Sequence, residues 1–278
     1  MGANHSMEDT QRTLLADGPA ALAPLPAQAQ RSAKPDAKRR PPPLIELPVH
    51  TLPQPDEVTC GPTCLHAVYA YWGDREPLST VIRRMRRLDH GGTYAVFLGC
   101  DALRKGYRAR IYTYNLTVFD PCWFGPAKVD LRERLARQQR VKSDPRIYNA
   151  TEGYLEFLEL GGRIRFANLS QNLISSILRR GLPLLTGLSS TYLYRSPREF
   201  GPDDTPDDIR GVPAGHFVVI AGWNRVSRKV LVVDPYQPHR YGPTLRYWLS
   251  VDRVIASILL GIVTHDANVL VIYRETVP

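Results

Sequence analysis

The chain has 278 residues, of which 43% are hydrophobic and 23% charged, and its formal net charge is +9 at pH 7. This composition excludes a wholly disordered or fibrous chain. The longest apolar stretch, 254–263, is about half of the roughly 20 residues that a membrane-spanning helix needs, so we expect no membrane span. The basic residues lie mainly in helical-looking segments without a zinc-finger or RNP-type signature, and we expect no nucleic-acid partner.

The chain has four cysteines, Cys60, Cys64, Cys100 and Cys122. They form neither a disulfide framework nor the two Cys pairs of a typical zinc site. The sequence also lacks the Gly-rich nucleotide-binding motifs and HExxH. We therefore expect reduced thiols, a reducing compartment such as the cytoplasm, and no metal or other cofactor.

Residues 1–43 differ in composition from the rest of the chain. They hold seven of the 24 prolines, many alanines, and neither the basic nor the apolar region of a secretory signal. Such a segment cannot bury enough apolar surface to offset the entropy lost on ordering. We predict a disordered Pro/Ala-rich tail over 1–43 and one folded domain over 44–278.

In chain order, the apolar periodicity predicts helices first and mostly strands later. Helices are predicted at 60–72, 78–88, 93–106, 130–142, 151–160 and 170–181. Thr93 and Ser170 are the predicted N-caps of their helices. Strands are predicted at 107–114, 182–188, 216–222 and 229–233, with a further hairpin formed by 256–263 and 269–274. Strands and helices do not alternate regularly, which favours an α+β fold over a doubly wound sheet.

Cys60 is the candidate nucleophile. It follows the turn-prone segment 54–59 and opens the first predicted helix, where unpaired N–H groups and the helix dipole stabilise a thiolate. Cys64 lies inside that helix and is interpreted as a small buried residue. Gln54 is an ordinary loop glutamine by itself, but near a nucleophile its amide could join the Cys60 N–H in an oxyanion hole.

His216 is the candidate base among seven histidines. It begins an apolar strand, whereas His66 follows Cys60 by six residues on the same helix and therefore points away. The next apolar strand ends at Asp234. In an antiparallel hairpin the start of one strand lies beside the end of the next, so we expect His216 and Asp234 to be neighbours. A carboxylate beside an imidazole fixes its tautomer and stabilises the imidazolium.

Three ordered motifs resemble the C39 and C39-like cysteine peptidases: Gln54-x5-Cys60-Gly61-Pro62-Thr63-Cys64-Leu65, Gly215-His216-Phe217-Val218-Val219 and Val233-Asp234-Pro235. The resemblance covers roughly residues 48–240. It is nearer to the stand-alone bacterial proteins of this type than to bacteriocin exporters, because the exporter domains are shorter and fused to a membrane transporter. It implies a papain-like fold, with helices packed on a C-terminal antiparallel sheet, and a peptide or protein substrate. It also implies Cys60 as nucleophile, His216 as base and acid, Asp234 as orienter and Gln54 as oxyanion donor.

Three functions are compatible with these residues. The first is hydrolysis of a peptide or amide bond through an acyl-enzyme, and the second is transfer of the same acyl group to an amine, or deamidation. The third is a non-catalytic peptide-binding protein on the same scaffold. The acidic segment 191–212, which precedes the candidate base, is either a lid that recognises basic or polar substrate groups or an exposed loop.

Overall fold

Residues 42–88, 91–126 and 129–275 are the parts of the chain that the computed structural model describes. The predicted tail over 1–43 therefore lies outside the described residues, except for Pro42 and Pro43, and stays a prediction. Pro43 is held by the folded part, since its carbonyl accepts a hydrogen bond from the Arg225 N–H at 2.8 Å. We describe the unit Pro42–Pro278 by itself.

The described residues form eight α-helices: α1 (Cys60–Tyr71), α2 (Leu78–Arg84), α3 (Ala95–Arg104), α4 (Leu131–Gln139), α5 (Pro145–Glu159), α6 (Gln171–Leu178), α7 (Ser190–Tyr194) and α8 (Val251–Leu260). All six predicted helices are among them. Helix α5 begins six residues before the predicted start at 151, because Asp144 caps it and Pro145 occupies its first turn. The predicted cap of α6 is confirmed, since the Ser170 hydroxyl accepts from the Leu173 N–H at 3.2 Å.

The strands of the described residues are β1 (Leu44–Glu46), β2 (Arg108–Thr113), β3 (Arg163–Arg165), β4 (Leu184–Ser189), β5 (Glu199–Phe200), β6 (Thr205–Pro206), β7 (Gly215–Asn224), β8 (Lys229–Val233), β9 (Arg246–Ser250) and β10 (Asn268–Tyr273). The main sheet has the order β3-β2-β10-β4-β7-β8-β9, and β1 also pairs with β7. Strands β2 and β3 are parallel and the other pairs of this sheet are antiparallel. The predicted α+β class is confirmed.

The predicted strand at 256–263 is wrong, because this segment belongs mostly to α8 and a following 3₁₀ turn. The buried residues Val251, Val254 and Ile258 recur at helical spacing, and Asp252 places a negative charge in the first turn. The predicted hairpin with 269–274 is therefore absent. Strand β10 pairs instead with β2 and β4, in the middle of the sheet.

The predicted N-cap of α3 is also wrong. The Thr93 hydroxyl donates to the Arg86 carbonyl at 2.9 Å and makes no hydrogen bond to the helix. The buried carboxylate of Asp266 accepts from the Ala95 N–H at 2.6 Å instead. The N–H of the first residue of α3 is thus bound by a side chain 171 residues away in sequence. A local sequence pattern cannot indicate such a partner.

Packing of α1 on β7 forms the part of the core that positions the site. Leu65 and Val68 of α1 and Val218 and Ile220 of β7 are at most 1% exposed. Each such side chain contributes roughly 1.5–3 kcal/mol when fully buried. This contact fixes the beginning of α1 beside the beginning of β7.

Candidate active site

Cys60 is the first residue of α1, and 8% of it is exposed. The first N–H groups of an α-helix have no partner within the helix and carry the positive end of its dipole. No side chain caps this helix start. The Cys60 sulfur is therefore placed where partial positive charge favours an anion.

Two small residues bring the first turn of α1 against β7. The Cys64 thiol donates to the Phe217 carbonyl at 3.2 Å, in agreement with its interpretation as a buried residue. A Cβ at Gly61 would lie 2.7 Å from Thr93 Cγ2 and 3.2 Å from Phe217 Cδ2. The glycine is thus required for close packing, which places Cys60 beside the residue that precedes Phe217.

That residue is His216, which the structure brings together with Asp234. His216 is the second residue of β7, and Asp234 directly follows β8, its antiparallel neighbour. The His216 Nε2–H donates to Asp234 Oδ1 at 2.8 Å. Because Nε2 is used in this way, Nδ1 is the ring nitrogen left for Cys60.

The charges of the site favour a protonated imidazole. Burial disfavours the imidazolium, but the Asp234 carboxylate and, after it, the Cys60 sulfur outweigh burial and raise the pKa of His216 to about 10. Burial likewise opposes ionisation of Asp234, and its interactions with His216 and two tyrosine hydroxyls nevertheless hold its pKa below the ordinary value. At neutral pH the site thus contains a buried imidazolium between the Asp234 carboxylate and the Cys60 sulfur.

Gln54 lies in the loop before α1 and lines the same cleft as His216. Its backbone N–H donates to the Pro235 carbonyl at 2.9 Å, which ties this loop to the residue after Asp234. Its side-chain Nε2 donates to the Asp56 carbonyl at 2.8 Å. One amide hydrogen is therefore used to orient the side chain, and the other is available to a ligand. Within the described structure the buried Oε1 accepts no hydrogen bond.

A cleft of about 730 Å³ opens beside His216, and the segment 191–212 forms much of one wall. Four acidic residues line it, Glu57, Glu199, Asp203 and Asp204, together with the basic residues Arg195 and Arg240. Glu199 is half-buried, and burial followed by the nearby charges of Asp204 and Glu57 raises its pKa, although His216 opposes this. The carboxylates of Glu199, Asp204 and Glu57 are thus close enough to affect one another, and all three line the cleft.

Sequence reasoning missed the tyrosines around Asp234. The hydroxyls of Tyr194 and Tyr247 both donate to Asp234 Oδ2, at 2.7 and 2.5 Å. Tyr194 lies in the acidic segment 191–212, for which the sequence suggested only a lid or an exposed loop. Tyr247 lies in β9, a strand that the sequence pattern did not predict, so no signal connected it to the site.

The other described histidines lie elsewhere or have other partners. His50 is exposed, His66 Nε2 pairs with the Glu76 carbonyl at 3.1 Å, and His265 contacts Arg146. His239 lines the cleft but is hydrogen-bonded through Nδ1 to the Tyr241 N–H. His5 and His90 fall outside the described residues.

No group of three or more His, Cys, Asp or Glu side chains among the described residues could hold a metal ion. None of the helices in these same ranges has the length and hydrophobicity required to cross a bilayer.

The sequence matches no protein-family model and no curated protein. Among solved structures, the chain is similar to a Bacillus anthracis protein described as a C39-like peptidase, at 12% identity and a TM-score of 0.42 over 84% of this chain and 99% of that one. It is also similar to the peptidase domain of Streptococcus ComA, a bifunctional ABC transporter involved in quorum sensing (14% identity, TM-score 0.37, 82% of this chain and 99% of that one). A third similar structure is xylellain, a cysteine protease from Xylella fastidiosa (14% identity, TM-score 0.37, 84% and 86%). Two of these structures are named as peptidases and the third as a cysteine protease.

Proposed function

We propose that this protein is a cysteine-dependent hydrolase that cleaves peptide or amide bonds through a thioester acyl-enzyme. The observation that carries the proposal is the juxtaposition of Cys60, at the start of a helix, with the buried and hydrogen-bonded pair His216–Asp234. A thiol activated by an imidazole that a carboxylate orients is the arrangement that nucleophilic acyl transfer requires.

In the first half-reaction the Cys60 thiolate attacks the carbonyl carbon of the scissile amide. The Cys60 N–H and the second amide hydrogen of Gln54 stabilise the oxyanion that forms. As the C–N bond breaks, the His216 imidazolium transfers its Nδ1 proton to the leaving amine. The products of this step are the free amine and a thioester on Cys60.

In the second half-reaction the neutral His216 accepts a proton from water, and the oxygen of that water attacks the thioester carbonyl. The C–S bond then breaks, which releases the carboxylic acid and regenerates the thiolate and imidazolium. Asp234 stabilises the imidazolium before and after each cycle. No step requires a metal ion or an organic cofactor.

Intact-mass spectrometry of the protein exposed to peptide pools tests this proposal. We expect a transient acyl adduct on Cys60, released by water as a shortened peptide, and loss of both signals in Cys60→Ala. Cys122→Ser removes an exposed thiol instead and should behave like the wild type. If added amines rather than water accept the acyl group from Cys60, the protein is a transferase. If peptides bind without forming any adduct, it is a peptide-binding protein.

The acidic cleft supports a finer proposal about the substrate, namely that a basic side chain lies near the scissile bond. Among the described residues, the Glu199 carboxylate has no hydrogen bond or ion pair, and it lies near the carboxylates of Glu57 and Asp204. Glu199→Gln should reduce the preference for lysine- or arginine-containing peptides over neutral ones by roughly fivefold, the effect of about 1 kcal/mol.

Asp208→Asn is the matched control, because Asp208 is an exposed acid of the same segment that does not line the cleft. An equal loss of preference in both variants would attribute the effect to overall charge and contradict a role for Glu199.

A further inference from the structure

The side chain of Asp234 is 0% exposed, and each of its two carboxylate oxygens accepts two hydrogen bonds. Oδ1 accepts from His216 Nε2 at 2.8 Å and from the Tyr236 N–H at 3.0 Å. Oδ2 accepts from the hydroxyls of Tyr194 at 2.7 Å and Tyr247 at 2.5 Å. One oxygen therefore faces the imidazole, and the other is held entirely by phenol groups.

The two phenols belong to different elements, with Tyr194 40 residues before Asp234 and Tyr247 13 residues after it. Tyr194 ends α7, and Tyr247 lies in β9, opposite Val232 of β8. Burial, followed by the charge of Asp234, raises the pKa of both hydroxyls above their ordinary value, so both remain protonated donors at neutral pH. Both hydroxyls can thus donate to the carboxylate oxygen at the same time.

Without these donors, Oδ2 would be a buried and unpaired charged oxygen. Burying such an atom is strongly unfavourable, and a carboxyl group in that position takes up a proton instead. Its ability to stabilise the imidazolium of His216 would then weaken. The two hydroxyls are thus required for the charge on which the acid and base chemistry depends.

We propose that Tyr194 and Tyr247 are positioning residues of this site: their hydroxyls keep Asp234 ionised and oriented, so that His216 stays protonated beside Cys60. The inference rests on the proposed function for the use of that proton.

Tyr194 also connects this network to the cleft. The next residue, Arg195, lines the cleft wall, and Arg240 Nη1 donates to the Tyr194 carbonyl at 2.6 Å. The centroid of the Tyr194 ring lies 6.0 Å from that of His216 and 5.9 Å from that of Tyr236. The same residue therefore forms part of the substrate-facing surface and holds the buried carboxylate.

The test is an NMR titration of His216 in full-length protein labelled with ¹⁵N-histidine. The groups that face this imidazole are Asp234, the Cys60 sulfur, Glu199 across the cleft, and the rings of Tyr194 and Tyr236. In the wild type the imidazolium should persist far above pH 7. In the double variant Tyr194→Phe/Tyr247→Phe we expect the protonation equilibrium of His216 to shift at least tenfold, to lower pH.

Tyr241→Phe is the matched control. Its hydroxyl belongs to the same aromatic cluster, since its ring lies 4.7 Å from that of Tyr247, but it donates to the Leu193 carbonyl and not to Asp234. A merely structural role would lower thermal stability in the double variant and in Tyr241→Phe alike, and would leave the His216 titration unchanged. If the double variant does not fold, each single variant should show a smaller shift in the same direction.

An unchanged His216 titration in folded Tyr194→Phe and Tyr247→Phe variants would overturn the inference. Failure of the proposed function gives a different result, because the imidazole titrates whether or not the protein cleaves an amide. Loss of the tyrosine effect and absence of acyl adducts on Cys60 are therefore separate outcomes.

Discussion

Cys60 differs from the other three cysteines in what surrounds its sulfur. Burial raises the pKa of Cys64 well above its ordinary value and that of Cys100 to about 12, while the nearby Asp120 raises the pKa of the exposed Cys122. Cys60 alone lies at a helix start beside an imidazolium, and iodoacetamide in limiting amount at pH 6 should therefore label it first. Peptide mapping by mass spectrometry measures the order, and earlier labelling of Cys100 or Cys122 would contradict this assignment.

Gln54 is expected to act on the transition state and not on the thiol. Because its free amide hydrogen should meet the substrate oxygen only as charge develops, Gln54→Ala should lower kcat by about 10²–10³ and change KM little. Gln54→Glu should be slower still, since a carboxylate repels the oxyanion. Both variants should be alkylated at Cys60 at the wild-type rate. An unaltered kcat in Gln54→Ala would show that Gln54 is only a loop residue.

Among the elements, the β7–β8 hairpin carries His216 and Asp234, the acid–base pair of the proposed mechanism. His216→Ala should remove nearly all turnover, and Asp234→Asn should lower it about tenfold or more, because an amide does not stabilise the imidazolium. The pKa of His216 is raised in the folded protein, so the imidazolium is complete at neutral pH and is lost only as pH rises toward about 10. The alkaline limb of the pH–rate profile should thus lie well above pH 7, and move downward in Asp234→Asn.

His50→Ala, which changes an exposed histidine outside the cleft, is the control for that experiment. Circular dichroism spectra should show all three variants folded. An active His216→Ala protein would instead transfer the role of base to another histidine such as His239 or His265, and the hairpin would no longer explain the chemistry.

The start of α3 depends on Asp266, whose pKa burial raises to about 6. A carboxyl group with a raised folded-state pKa stabilises the fold below its unfolded pKa of about 3.9, and this contribution is lost as pH rises through 6. Relative to Asp266→Asn, which cannot ionise, the wild type should lose up to about 3 kcal/mol of unfolding free energy between pH 4 and 7. Urea denaturation at several pH values measures this difference, and parallel profiles for the two proteins would contradict it.

For the whole molecule, the boundary of the folded domain is the feature to test. A chain that starts at Leu44 should fold and retain its chemistry, because β1 begins there and pairs with β7. A chain that starts at Val49 is the matched control, since it loses β1 and the buried Leu47. Its melting temperature should fall by roughly 5 °C or more. Aggregation of the Leu44 chain would place part of the tail in the core.

The sequence by itself determined those features whose causes are local. Helix α1 follows from apolar spacing with Cys60 at its start, and the neighbourhood of His216 and Asp234 follows from two consecutive strands that form a hairpin. In both cases the interacting residues are close in sequence or joined by one turn, so periodicity and strand geometry suffice. The α+β class followed in the same way from the order of helices and strands.

Tertiary structure alone decided the features that join distant segments. Asp266 reaches α3, 171 residues away in sequence, because β10 lies in the middle of the sheet. Tyr247 is only 13 residues from Asp234, but the sequence pattern did not predict its strand, β9. Tyr194 arrives from a separate helix. The pairing of distant strands depends on the burial of the whole core. It produces no periodic sequence pattern at the residues that come into contact. The residues of the proposed site could thus be brought together from the sequence, whereas the tyrosines that contact Asp234 became visible only in the folded protein.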